Sequence, residues 1–140
     1  MPATAKLRPM ISDRLHELVP LSATLGLRAV EAEPSAVILE LDYEHSLSTA
    51  GGNLHGGALM ALADTAGALC AFLNLPAGAV GTTTIESKTN LLAAVRDGTV
   101  TATATPLKTG RTIIVVETEM RNSSGRLVAK TTQTQAVLTA

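Results

Sequence analysis

The sequence predicts an α+β fold in which a curved antiparallel β-sheet wraps around one long central α-helix. Three observations carry that prediction. A single long apolar run occupies residues 58–72, four Thr- and Val-rich alternating segments follow it, and each connector between those segments contains Gly. A helix that is apolar on nearly every side needs an enclosing surface, and a sheet curling around it supplies one.

Taken in order, residues 6–19 place Leu7, Ile11, Leu15 and Leu18 at helical spacing with polar residues between. This predicts an amphipathic surface helix closed by Pro20, within an N-terminal segment of residues 1–20. Residues 26–31 and 36–42 read as two strands joined by a Glu33-Pro34-Ser35 turn, with Val37, Leu39 and Leu41 on one face. Residues 46–52 are small and polar, a loop leading to a helix that starts near His55. Pro76 and Gly78 mark its exit. Four strands follow at about 80–91, 99–107, 112–121 and 127–138. Their connectors, Arg96-Asp97-Gly98, Lys108-Thr109-Gly110-Arg111 and Asn122-Ser123-Ser124-Gly125, predict hairpins, so the four are expected to be antiparallel neighbours. The edge strands of such a sheet need cover, and pairing across a two-fold axis provides it, which predicts an oligomer.

With 140 residues, 46% of them hydrophobic, the chain fits one domain with its own core. Net charge is -1 and the 11 Lys and Arg residues are scattered, which disfavours nucleic acid as a partner. Tyr43 and Phe72 are the only aromatic residues, so base-stacking platforms are missing too. Residues 58–72 fall short of the roughly 20 that span a bilayer and carry Asp64 centrally, so no membrane segment is expected. The opening residues lack the apolar region of a secretory signal, and the lone Cys70 forms no intrachain disulfide. A cytoplasmic setting follows as an expectation. His16 and His45 lie far from each other and from His55 in sequence, without metal-ligand spacing, and no metal is predicted.

Chemistry is expected at Asp64, the only acid between residues 53 and 72. An ionised carboxylate in an Ala- and Leu-rich stretch shifts its pKa, finds donors or lines a wet cleft. Gly56 and Gly57 stand at the expected helix N-terminus, where free N–H groups favour developing negative charge. Blander readings exist for each. Asp64 caps a neighbouring element or faces a solvent groove, His55 caps or packs, and the glycines permit close packing.

His55-Gly56-Gly57 followed by Ala63-Asp64-Thr65-Ala66 resembles the motif of hotdog-fold acyl-CoA thioesterases of the phenylacetate-degradation (PaaI-like) type. The similarity runs from about residue 27 to 138, with residues 84–92 like the strand after the helix and residues 108–111 like the next hairpin. The resemblance implies Asp64 as general base or nucleophile, Gly56 as oxyanion donor, His55 orienting that turn, and Thr84 near the acid, with Thr82 and Thr83 as alternates. It further implies coenzyme A as part of the substrate and no separate cofactor. Gly57 would join Gly56 in meeting the thioester oxygen. Thr49 stands where relatives frequently carry Asn or Gln, so either Asn53 takes that polar role or the site lacks it. Leu92-Ala93-Ala94 replaces a bulkier, Pro-containing segment, which bears on the width of the acyl or pantetheine channel. Lys108 and Arg111 either bind the CoA phosphates or solvate a turn.

Asp64 lies roughly 13 Å along a helix from His55. Two antiparallel helices across a dimer axis would bring each Asp64 to the other chain's Gly56, which makes a dimer the minimal active unit, expected to associate further into a homotetramer. The implied reaction is hydrolysis of an aryl or medium-chain acyl-CoA. Rival readings are a hydratase or dehydratase on the same fold and a non-catalytic acyl-CoA or lipid-binding module.

Overall fold

A computed structural model describes residues 3–140, with side chains from Arg8 onward. Two helices, α1 (Ala3–Leu18) and α2 (Pro20–Leu25), precede strands β1 (Arg28–Glu33) and β2 (Ala36–Asp42). The long helix α3 (Gly56–Leu73) leads to β3 (Ala79–Leu91), β4 (Thr99–Thr109), β5 (Ile113–Arg121) and β6 (Leu127–Thr139). All six strands form one antiparallel sheet in the order β1-β2-β4-β5-β6-β3. The predicted fold class is the observed one.

Alternation builds the core. Val37, Leu39 and Leu41 of β2, Val100, Ala102 and Ala104 of β4, and Ile114, Val116 and Met120 of β5 are all buried. They meet Leu59, Leu62, Ala63, Ala66 and Cys70 of α3. α3 has the length and hydropathy of a membrane span, yet half of it is packed inside the fold. The sheet covers only that half. Gly57, Met60, Asp64 and Phe72 form an exposed stripe on the other face, so the sheet wraps one side of α3 and leaves the other uncovered within this chain.

Local departures have local causes. Pro20 does not simply close the first helix; it occupies the first turn of α2, where its missing N–H costs nothing, and Gly26 at φ 71° ends α2. Gly26 is therefore a cap rather than the start of β1. Leu15 is buried and Ile11 half-buried as the helical spacing requires, but Leu18 is exposed, and Leu7 falls outside the described side chains.

The segment between β3 and β4 is not a hairpin. β3 pairs with β6 at the sheet edge, and residues 92–98 cross over to β4 on the far side of β5. Buried Val95 anchors the crossing by accepting the Leu54 N–H at 2.7 Å, which ties it to the loop before α3. Seven residues with a buried Val make an anchored crossing, and the hairpin expectation rested on Gly98 alone, whose φ of 69° turns the chain into β4.

The two edges differ. On the β1 side α1 packs alongside, and Ser12 Oγ accepts the Ala29 N–H at 2.9 Å. The outer edge of β3 runs for thirteen residues with no strand beside it among the described residues.

Thr118 lies among the inward side chains of β5, fully buried, with its hydroxyl unpartnered among the described residues. An unsatisfied buried hydroxyl is destabilising. Thr118→Val, close to isosteric, should therefore raise the unfolding free energy by about 1 kcal/mol in denaturant titration, and a loss of stability would contradict this reading of the site.

Candidate active site

α3 begins where His55, in extended conformation at φ −63° and ψ 133°, caps it. The His55 Nδ1 accepts the Gly57 N–H at 2.7 Å, so the ring's other nitrogen carries the proton of the neutral form. Gly57 is thereby removed from the pair of free amides expected at this terminus. The Gly56 N–H has no partner among the described residues, and it alone remains available to an oxygen bearing developing charge. Close packing also explains both glycines. A Cβ at Gly57 would crowd the His55 ring, and one at Gly56 would run into the end of Leu91.

The preceding loop is held by its own polar groups. Thr49 N–H donates to Asn53 O at 2.8 Å, Gly52 N–H donates to Thr49 O at 2.9 Å, and the Thr49 hydroxyl accepts from Gly51. Asn53 Oδ1 accepts from Arg96 Nε at 2.7 Å, and its amide N–H groups have no partner among the described residues. Thr49, Asn53, Gly56 and Leu91 share a shallow cavity of about 380 Å³. His55 and Gly57 border a different depression, beside Leu21 and Leu25 of α2.

Asp64 sits two turns on, at the exposed face of α3 beside β3. Its Oδ1 accepts from the Thr84 hydroxyl at 3.4 Å and from Gln133 Nε2 at 3.4 Å, while Gln135 Nε2 donates to Thr84 Oγ1 at 2.6 Å. Asp64 caps no neighbouring element. It lines a cavity of about 370 Å³ walled by Leu15, Leu18, Val19, Leu69 and Phe72, with Thr82 at its rim. Thr84 is the β3 hydroxyl that reaches the acid. Half-buried Thr82 stays at the rim, and exposed Thr83 makes no hydrogen bond to Asp64. A β-bulge follows directly, between Thr84 and Glu86, a device that re-aims side chains where a strand borders a site.

The expected residues thus fall into separate groups. Asp64 with Thr84 forms one, Gly56 with Thr49 and Asn53 a second, and His55 with Gly57 a third. Lys108 and Arg111 sit at the β4–β5 hairpin, at the sheet end where β3 starts, and contact none of these. Gln133, Gln135 and Arg96 were not among the sequence candidates. The signal for the two glutamines is their parity in β6, where Thr131, Gln133 and Gln135 all fall on the buried face. Burial pushes the Cys70 thiol up to about 11, which makes it an inert core group. Among the described residues, no three His, Cys, Asp or Glu side chains gather as a metal ion requires.

The family model described as "Thioesterase superfamily" matches residues 51–129, the stretch that holds α3, the end of the loop before it and β3. The chain belongs to the thioesterase superfamily. The protein named "Putative esterase ComA2" of Bacillus subtilis is 32% identical over 126 residues, 90% of this chain and 98% of that one. A thioesterase from Haemophilus influenzae superposes with a TM-score of 0.84 at 29% identity, covering 91% of this chain and 90% of its own. A thioesterase family protein from Silicibacter pomeroyi gives 0.82 at 28% identity, over 92% and 96%. The six-stranded sheet around α3 is the hotdog fold of these thioesterases.

In this thioesterase-superfamily chain the His55 cap has a separable structural effect. His55→Ala should lower stability by about 1 kcal/mol in urea unfolding, and His55→Asp or His55→Asn, which keep an acceptor for the N-terminal amides, should restore it. Equal stability of all three variants would show that the cap contributes nothing.

Proposed function

We propose that this protein is an acyl-CoA thioesterase acting as a homo-oligomer, with Asp64 of one protomer and the Gly56 N–H of a second flanking each scissile thioester. The observation that carries the proposal is the pairing of an unpartnered helix-terminal amide with a lone carboxylate on the same helix. Asp64 Oδ2, unlike Oδ1, has no protein partner among the described residues. The two groups are eight residues apart, so they stand about 12 Å apart along the axis and roughly 80° around it. One carbonyl group cannot touch both in a single protomer.

A second copy resolves this. The free edge of β3 exposes Val80 and Ile85 and the adjoining stripe of α3 exposes Met60 and Phe72, while the β1 edge is covered by α1. Two copies joined at β3 would lay their α3 helices side by side, antiparallel, and exchange Asp64 for Gly56. A dimer is then the smallest active unit, and a tetramer is a pair of such dimers.

The reaction needs an ionised carboxylate and a fixed donor. Asp64 either attacks the carbonyl carbon, expelling the CoA thiolate and leaving a mixed anhydride that water opens, or takes a proton from the water that attacks. In both routes negative charge gathers on the carbonyl oxygen, where one preorganised N–H is worth ~3 kcal/mol. The apolar wall of Leu15, Leu18, Val19, Leu69 and Phe72 suits an uncharged aryl or medium-chain acyl group. Coenzyme A enters as part of the substrate, and no cofactor is required.

Thiol release from aryl-, branched- and straight-chain CoA thioesters tests the reading, since hydration would leave the thioester intact. Asp64→Ala should reduce kcat by roughly 10³ while leaving the folding transition and oligomer size unchanged. Wild-type turnover by that variant would refute the proposal.

A further inference from the structure

Two glutamines lie buried beneath Asp64, and a core position gives no reason for them. Gln133 and Gln135 are each 1% exposed, on the face of β6 that turns toward α3. Leu or Val there would leave no polar atom unsatisfied, whereas Gln133 Oε1 is buried without a partner among the described residues. The opposite rotation of the amide would put that oxygen against a carboxylate, acceptor against acceptor, so the orientation with Nε2 toward Asp64 is the one electrostatics demands. Its neighbour acts one step removed. Gln135 Nε2 donates to Thr84 Oγ1 at 2.6 Å, which occupies a lone pair of that hydroxyl and turns its proton toward Asp64.

Both lines of donors end on the same atom, Asp64 Oδ1, each at 3.4 Å. The α3 backbone makes room for this. Gly67 stands one turn beyond Asp64, buried, and a Cβ there would collide with the Gln133 amide. A glycine inside a helix is destabilising relative to alanine, so two unfavourable choices, Gly67 and a buried amide with an orphaned oxygen, meet at one point. We propose that Gln133, seated in the gap left by Gly67, is a positioning residue that holds Asp64 Oδ1 and thereby presents Oδ2 as the reacting oxygen. The inference rests on the reading of Asp64 as the reacting carboxylate.

Gln133→Met keeps the volume and removes both the donor and the orphaned acceptor. Stability and turnover should move apart: the unfolding midpoint stays level or rises, kcat for thioester hydrolysis falls about tenfold, and KM stays within about twofold. Gly67→Ala, which crowds the amide from the other side, should lower kcat similarly in the wild-type chain and have no effect on kcat in a Gln133→Ala background, where the space is vacant. A wild-type kcat in Gln133→Met, or an undiminished effect of Gly67→Ala once Gln133 is truncated, overturns the positioning role. The two readings fail separately. If Asp64→Ala abolishes turnover and Gln133→Met leaves it intact, only the role of Gln133 falls; if Asp64→Ala is fully active, the role of Asp64 falls and this one with it.

Discussion

An eighteen-residue helix packed by one face against a sheet leaves its other face to be dealt with, and in this chain that face carries both the acid and the approach to a free helix-terminal amide. Everything about the site follows from how α3 is held. The sheet fixes its inner stripe through Leu62, Ala63, Ala66 and Cys70, all without solvent exposure, so the outer stripe has little freedom to rotate. His55 fixes where the helix starts, and by consuming the Gly57 N–H it singles out the amide of Gly56. Asp64 is then set by the helix's own rise and turn, at a distance from Gly56 that no side-chain rotation can close.

The same constraint gives the surrounding strands their meaning. β3 is the least buried strand, yet it supplies Thr84 to the acid and Leu91 to the helix start, so a single edge strand touches both halves of the proposed chemistry. Its free edge is also the longest unpaired backbone in the sheet. A surface that borders both groups of the proposed chemistry and lacks a partner strand is where a second copy completes the most with the fewest new contacts.

Much of this was legible in the chain, and what was not has physical causes. The alternation of Val37, Leu39 and Leu41 located β2 correctly because one buried face imposes a strict period of two. Asp64 stood out because an acid is costly in an Ala- and Leu-rich helix. Hairpin reasoning failed at residues 92–98, since a Gly-containing connector reports a turn of the chain but not which strand lies beside it, and burial of Val95 is a tertiary fact. Pro20 after a helical run signals a stop, yet proline also suits the first turn of a helix, which is where it stands in α2. Gln133 and Gln135 escaped notice because strand parity shows which side chains face inward, and only the packed helix reveals that the inward face of β6 meets Asp64.

The central claim is that each site draws its acid and its amide from different chains, and complementation measures this directly. Gly56 is the first residue of α3 and follows an extended His55, so Gly56→Pro removes the N–H at a position where helices accept proline, with Leu91 shifting to make room. Asp64→Ala and Gly56→Pro chains, each inactive alone, should on mixing through unfolding and reassembly recover about a quarter of wild-type activity, because half the dimers are mixed and each of those holds one intact site. Mixtures that stay inactive while forming mixed dimers would contradict the shared site.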